Sequence, residues 1–349
     1  MKLQSLLSST RIERALERLR DLIENPFETF AKADELRRKV VGDVVTFVVN
    51  RNINFTDICV GNCKFCSFRN RRRYLLTLEE IKEKVREAVE YGCTEVCIQG
   101  GLYPNADLNF YKSIIEAVRE VSEDIHIHAF SPMEIHHMAI NTGLDVKEVL
   151  KELKSSGLDS IPGTSAEILD DEIRKVICPK KISTDRWIEI VTTAHRLGIP
   201  STATMMFGHT EGWEHRLKHL LIIKEIQRRT GGFTEFIPLP FMHKNNELGK
   251  IVRPPSGFED LLVIAVSRIT LHPEIKNIQA SWVKLGVKLA QVALCVGAND
   301  LGGTLIEENI SRLAGAESGE FLPKEKIIEL IESVGRIPKQ RDTLYRILD

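Results

Sequence analysis

One rhythm runs through most of this chain. A short run of β-branched and apolar residues gives way to a stretch of helical period, and then another apolar run follows. Candidate strands fall at 44–58, 94–99, 126–130, 158–161, 201–207, 234–239, 275–279 and 292–296. Between most of them lie helical faces. Thr77-Leu-Glu-Glu80 is a capping box, followed by Ile81, Val85, Ala88 and Val89 and a stop at Gly92. Phe110, Ile114, Val118 and Val121 form the next face, and Trp187, Val191, Ala194 and Leu197 another. Strands that alternate with helical crossovers pair in parallel, because each crossover returns the chain to the same end of the sheet. Eight such repeats favour closure into an α/β (β/α)8 barrel of the TIM type over an open sheet. The expected organisation is a helical N-terminal extension over 1–43, the barrel over 44–320 and a helical C-terminal segment over 321–349.

Composition narrows the partners. At 349 residues, with 43% hydrophobic and 28% charged, the chain can bury a full core. Lys+Arg 48 against Asp+Glu 49 leaves a net charge of -1, so no global basic field exists to hold nucleic acid. The one dense basic run, Arg69-Asn-Arg-Arg-Arg73, reads as a solvated loop near an anionic ligand. No apolar run approaches the ~18–20 residues that span a bilayer. The opening residues lack an apolar core and read as an amphipathic helix rather than a secretory signal. A cytoplasmic protein without membrane or nucleic-acid partners is expected.

The cysteines carry the chemistry. Seven are too few and too uneven for a disulfide scaffold in a chain this long. Three of them form a CxxxCxxC loop, Cys59-Val-Gly-Asn-Cys63-Lys-Phe-Cys66, directly after the first strand. In a barrel, the loops after strand C-termini build the active site. Three thiolates on one loop can ligate three corners of a cubane iron–sulfur cluster and leave the fourth iron open. Structural zinc is the plainer alternative. It requires four closed ligands, and Cys93, Cys97, His126 or His128 could complete them only through a tertiary contact. Gly61, Phe65, the position after strand one and the missing local partner favour the cluster. Cys93, Cys97, Cys178 and Cys295 read as small buried residues.

At Cys59, Cys63 and Cys66, with an aromatic at Phe65, the chain resembles the radical S-adenosylmethionine (SAM) superfamily. The resemblance implies a [4Fe-4S] cluster on the three cysteines, SAM on the open iron and Phe65 beside the adenine. Gln99-Gly100-Gly101 corresponds to a turn that receives the SAM amino group; from the residues alone, an ordinary left-handed turn fits as well. Glu167 and Arg186 correspond to groups that hold the ribose or amino group and the carboxylate, the latter suiting a guanidinium fork. Exposed helix-end charges are their plain reading.

Longer stretches extend the resemblance. Arg51-Asn-Ile-Asn-Phe-Thr-Asp-Ile-Cys59, Pro162-Gly-Thr-Ser-Ala-Glu-Ile-Leu169, Phe207-Gly-His209 and Asn299-Asp-Leu-Gly-Gly303 are similar to the deazaflavin and futalosine-pathway enzymes of that superfamily. Thr164-Ser165, where the menaquinone branch usually shows further glycines, favours the deazaflavin branch. What this implies is a transferase that cleaves L-tyrosine between Cα and Cβ. The 4-hydroxybenzyl group is added to 5-amino-6-(D-ribitylamino)uracil, toward the deazaflavin FO of coenzyme F420. A second radical SAM subunit of FO synthase would close the ring. The alternatives are a futalosine-pathway enzyme (aminofutalosine synthase or cyclic dehypoxanthinylfutalosine synthase) and, more distantly, a zinc-stabilised barrel without activity. His209 and Glu211, after strand five, and Asn299 and Asp300, after the last strand, are candidate substrate contacts. A capped loop and an Asn-Asp turn are their plain readings.

Overall fold

The computed structural model describes residues 9–348, with side chains from residue 12 onward. The candidate amphipathic helix at the start of the chain is seen over Ser9–Glu24, and its first eight residues lie outside the described part.

Eight staves close a parallel barrel. β1 (Val44–Val48) and β2 (Asn50–Asn54) are two halves of the first stave, broken at Val49. β3 (Glu95–Gln99) pairs with β2 in register Asn50↔Glu95 to Asn54↔Gln99, and with β4 (His126–Ala129) in register Glu95↔His126. The fourth stave is only residues 160–161, bridging His128 on one side and Ser201 on the other. β5 (Ser201–Phe207) and β6 (Phe233–Pro240) pair in parallel, and Ile278 and Gln279 then bridge Phe236 to Asp300. β7 (Asp300–Gly303) returns to β1 and closes the ring. β5 is buried at every position, as expected for a strand covered by helices outside and by the lumen inside.

The sequence and the structure differ at three places. Residues 292–296 are not a strand: Val292 and Ala293 end the helix Val287–Ala293, and the last stave begins at Asp300. An apolar run on a helix that faces the core cannot be told from a strand by composition alone. The short staves at 160–161 and 278–279 make single bridges rather than ladders. The C-terminal segment is not helical alone, because its helix Lys324–Glu332 leads into β8 (Ile337–Gln340), which lies parallel to β1.

Beyond β8 the chain enters the N-terminal mouth of the barrel and plugs it. Arg341 pairs with Asp300 at 2.6 Å and approaches Glu235 at 3.6 Å, both buried. The Tyr345 hydroxyl donates to Glu235 at 2.6 Å, and Thr343 donates to Glu95 at 2.7 Å. The Arg341 guanidinium also sits 3.9 Å from the Tyr345 ring centre. This plug fills the lower mouth, at the opposite end from the cysteine loop that follows β2.

Capping boxes position that upper rim. Thr77 with Glu80 starts the helix Leu78–Glu90, and Ser131 with Glu134 and Asp145 with Glu148 start the two successive helices between β4 and the fourth stave. The N-terminal helices Ser9–Glu24 and Pro26–Val41 flank the barrel wall, where Phe27 and Phe30 meet Phe258 edge-on at 5.9 and 5.5 Å. Trp187 is fully buried in the core, as its helical face predicts.

Candidate active site

The cysteine loop leaves β2 and crosses the upper rim, held by backbone bonds rather than by regular structure. Buried Asp57 accepts the N–H groups of Arg72, Arg73 and Tyr74 at 2.6, 3.0 and 2.9 Å. The Gly101 N–H donates to Thr56 O at 2.8 Å, Val60 N–H to Leu102 O at 3.1 Å and Lys64 N–H to Ile177 O at 2.8 Å. Neither Gly100 nor Gly101 takes a left-handed conformation, so the ordinary-turn reading fails. What the pair provides is clearance. A Cβ on Gly101 would stand 2.3 Å from Ile58 O and 2.9 Å from Cys59 Cβ, and one on Gly100 would stand 2.6 Å from the Phe55 ring. The end of β3 is therefore packed directly against the cysteine loop.

Under that loop lies a cavity of about 240 Å³. Cys59, Cys63, Cys66, Phe65, Gln99, Gly100, Gly101 and Glu167 all line it. The fold thus brings together residues from three separate staves. Burial pushes the Cys63 thiol up to about 12, a barrier that binding to iron removes because the metal favours the thiolate.

Lys181 and Glu134 are among the lining residues that the sequence reading did not single out. Lys181 is half-buried against Glu167 in a short ion pair, with its ammonium 5.4 Å from the Phe65 ring centre. Burial pushes the Glu167 carboxyl up, but Lys181 more than offsets this by charge and hydrogen bond, with Arg174 and His209 adding to it, so the net shift is downward. Glu167 and Ser165 sit at φ 45° and 68°, a left-handed backbone in the Pro162–Glu167 loop of the kind that concentrates at functional sites. Glu134 accepts the Gly100 N–H at 3.2 Å and the Ser131 N–H and hydroxyl at 2.7 Å each, tying the glycine pair to the next helix. Burial raises its carboxyl to about 7, against those hydrogen bonds. Ser131-Pro-Met-Glu134 is a capping box, so this residue was legible in the sequence. Nothing local marks Lys181.

Thr164 links two spaces. Together with Gln99 it lines both the upper cavity and a lumen cavity of about 150 Å³, walled by Glu95, Cys97, His128, Thr204 and Glu235 among others. The Thr164 hydroxyl lies 3.4 Å from Gln99 Oε1. The close approach of β5 explains the preceding glycine, since a Cβ on Gly163 would stand 1.9 Å from Thr202 O.

Other candidates fall elsewhere. Arg186 donates to both Glu189 oxygens at 2.8 Å and to His136 Nδ1 at 3.3 Å, and it does not line the cavity. Glu211 is a loop cap: it accepts the Gly208 and His209 N–H groups at 2.7 and 2.9 Å and pairs with Arg216 at 2.7 Å. His209 lies against it at 3.0 Å, so the capped-loop reading holds for both. Asn299 and Asp300 precede and open β7 rather than following a strand, which removes them from the upper rim. Asn299 binds Arg268 and the Ile278 N–H, and Asp300 binds Arg341 and Thr46; both serve the wall and floor of the barrel.

The donor set suits a cluster. Among the described residues, no three His, Cys, Asp or Glu side chains converge as ligands of one metal ion. Cys97 and His128 line the lumen instead, and His126 hydrogen-bonds Ser160 at 2.7 Å. The cysteine triplet spreads one thiol each around a single cavity, the arrangement in which three irons each take one protein sulfur.

A closed parallel barrel with such a triplet at its upper mouth defines a radical SAM enzyme. The chain belongs to the radical SAM superfamily, whose model matches residues 53–223, and a CofH/MqnC C-terminal region matches residues 230–349. Its cofactors are accordingly a [4Fe-4S] cluster and SAM. A 5-amino-6-(D-ribitylamino)uracil–L-tyrosine 4-hydroxyphenyl transferase of Archaeoglobus fulgidus is 67% identical, over 98% of this chain and 100% of that protein. A transferase of the same name from Methanocaldococcus jannaschii is 59% identical over 93% of each chain. Among solved structures, methylornithine synthase (PylB) superposes with a TM-score of 0.69 at 20% identity, covering 96% of this chain and 91% of that one. The FeFe-hydrogenase maturase HydG of Carboxydothermus hydrogenoformans does so at 0.70 and 16%, covering 99% and 87%. These two bear on the fold alone.

Proposed function

We propose that the protein cleaves the Cα–Cβ bond of L-tyrosine and adds the 4-hydroxybenzyl group to C5 of 5-amino-6-(D-ribitylamino)uracil, a step toward FO and coenzyme F420. The observation that carries this reading is the 67% identity to a relative of that activity along its whole length. Thr164, at the position that separates the deazaflavin from the menaquinone branch, supports it, because it stands where the upper cavity meets the lumen.

When bound, the cluster and SAM supply a 5′-deoxyadenosyl radical on one-electron reduction. The chain's own residues do the rest. Cys59, Cys63 and Cys66 hold the irons. Phe65, Gly100, Gly101 and Glu167 cradle SAM, with Gln99 at the boundary toward the lumen. The plugged floor helps exclude water and oxygen once both substrates fill the lumen.

A second radical SAM subunit that closes the deazaflavin ring completes the picture, and both act in the cytoplasm. No helix among the described residues is long and apolar enough to cross a membrane. The test is anaerobic incubation of reconstituted protein with SAM, a reductant, ring-labelled L-tyrosine and the diaminouracil. Mass spectrometry should find the label in a hydroxybenzyl adduct. The C-terminal match also covers the futalosine-pathway branch. Turnover of a futalosine-type substrate without the adduct would establish that rival.

A further inference from the structure

One cation beside the substrate space has no protein partner. The seventh stave, at 278–279, runs almost directly into the short helix Trp282–Leu285, so this helix stands after a strand C-terminus, on the upper rim. Two bonds fix it there. The Trp282 indole N–H donates to Gly303 O at 2.9 Å, and the Lys284 N–H donates to Ser281 O at 3.0 Å. Ser281 and Trp282 both line the lumen cavity. Lys284 comes three residues after Ser281, on the same face of the turn, and a helical side chain leans back over the turn that precedes it. The half-buried Lys284 side chain is thereby directed over the lumen.

The ammonium is unspent. Among the described residues it makes no hydrogen bond and no ion pair, yet it is not sealed among packed atoms, so open space lies beside it. Burial pulls its pKa down, against the charges of Glu308, Glu167 and Cys66. Glu167 and Cys66 line the SAM-side cavity, which sets the lysine near the boundary between that cavity and the lumen. Glu308 does not take it up, because its carboxylate caps the helix Asn309–Leu313 through the Ser311 N–H at 2.9 Å. The neighbouring cations are committed. Lys181 pairs with Glu167, Arg341 pairs with Asp300, and Arg174 bonds to the carbonyls of Ser165 and Ile182. Lys180 and Arg69 line the SAM-side cavity and not the lumen.

The reaction says what such a cation would hold. Cleavage between Cα and Cβ divides L-tyrosine: the carboxylate and the nitrogen stay on a two-carbon fragment, and the 4-hydroxybenzyl group moves to the uracil. An anchor on the carboxylate grips the half that stays and leaves the other half free to move. That carboxylate is also the one full negative charge on either substrate, and taking it out of water requires a counter-charge. We propose that Lys284 binds the carboxylate of L-tyrosine and selects the amino acid over analogues that lack this group. The inference rests on the transferase reading above and adds to it the residue that recognises the amino-acid end of the substrate.

The experiment uses reconstituted holoenzyme with SAM and no reductant, so that binding is read without turnover. L-Tyrosine and tyramine, which lacks the carboxylate, are titrated by anaerobic calorimetry into the parent, Lys284→Met and Lys284→Arg. Lys284→Met should weaken tyrosine binding about 10–150-fold, as loss of a charge-assisted hydrogen bond does, and leave tyramine affinity within about twofold. Lys284→Arg keeps the cation and should retain most of the tyrosine affinity. Iron content and SAM affinity should match the parent in both variants. Equal losses for tyrosine and tyramine, or loss of iron or of SAM binding in Lys284→Met, would make the lysine structural and overturn the proposal. Tight tyrosine binding in both the parent and Lys284→Met would overturn it while leaving the transferase reading in place. A parent holoenzyme that binds no tyrosine would bring down that reading and the proposal together, and the two failures are thereby separated.

Discussion

The Lys181–Glu167 pair makes a quantitative demand on the fold. Both side chains are largely shielded from water, at 15% and 14% exposure, and each is the other's ion-pair partner. Replacing Lys181 by Met keeps the volume and removes the charge. Truncating one member of a buried pair typically costs ~3–5 kcal/mol, because the other charge is left uncompensated. The lower end, about 3 kcal/mol, is expected here, since Arg174 and His209 still favour the carboxylate and Glu167 can take up a proton.

That proton uptake sets the pH dependence. In the native protein the Glu167 carboxyl is held below its ordinary value, so the pair's stabilisation is present above the unfolded-state value and is lost as pH falls through the folded one. In Lys181→Met, burial is opposed only by the weaker pull of Arg174 and His209, and the folded value rises. The deficit relative to the parent should therefore be largest near neutral pH and shrink toward pH 4. Adding Glu167→Gln removes the stranded charge and should recover most of the loss. Urea midpoints of the cluster-free protein at several pH values, for the parent, both single variants and the double variant, measure all of this. A deficit that is flat with pH, or a double variant no more stable than Lys181→Met, would refute the reasoning.

Four further outcomes follow from the same geometry. Cys59→Ala, Cys63→Ala and Cys66→Ala should each lose cluster iron and SAM cleavage, whereas Cys93, Cys97, Cys178 and Cys295 variants should keep both by iron analysis. Gly101→Ala should push the cysteine loop off β3, costing about 1–3 kcal/mol by overpacking and lowering iron content, both readable on the purified protein. Arg341→Met should destabilise the barrel floor by ~3–5 kcal/mol in denaturant while leaving cluster assembly intact, because Asp300 and Glu235 lose their shared cation. Arg186→Ala should leave SAM affinity unchanged by calorimetry, because Arg186 pairs with Glu189 outside the cavity. A loss of about 10–150-fold, the usual effect of removing a charged hydrogen bond, would make Arg186 a SAM ligand instead.

How much of this was legible in the chain differs by the range of the interactions. The cysteine spacing, the aromatic at Phe65 and the capping boxes at Thr77, Ser131 and Asp145 act over a few residues, so the sequence alone determines them. The alternation of strands and crossovers is also local, and the parallel barrel follows from it. Registers and closures are not local. The last stave was displaced to 292–296 because apolar residues on a helix facing the core look like a strand until the neighbours are known. Asp300 therefore seemed to sit in a loop at the mouth, when it anchors the floor 41 residues from Arg341.

The site divides in the same way. The sequence alone named the cysteines, the glycine pair and Glu167, because each belongs to a short motif. Only the tertiary structure decided that Gly100 and Gly101 are needed for clearance against Phe55 and Ile58 rather than for a left-handed turn. It also decided that Lys181, with no local mark, is the counter-charge of Glu167, and that Glu211 serves its own loop. The physical reason is common to all three. A motif records what a few neighbouring residues require of each other, whereas clearance, desolvation and charge compensation depend on atoms that arrive from distant staves when the barrel closes.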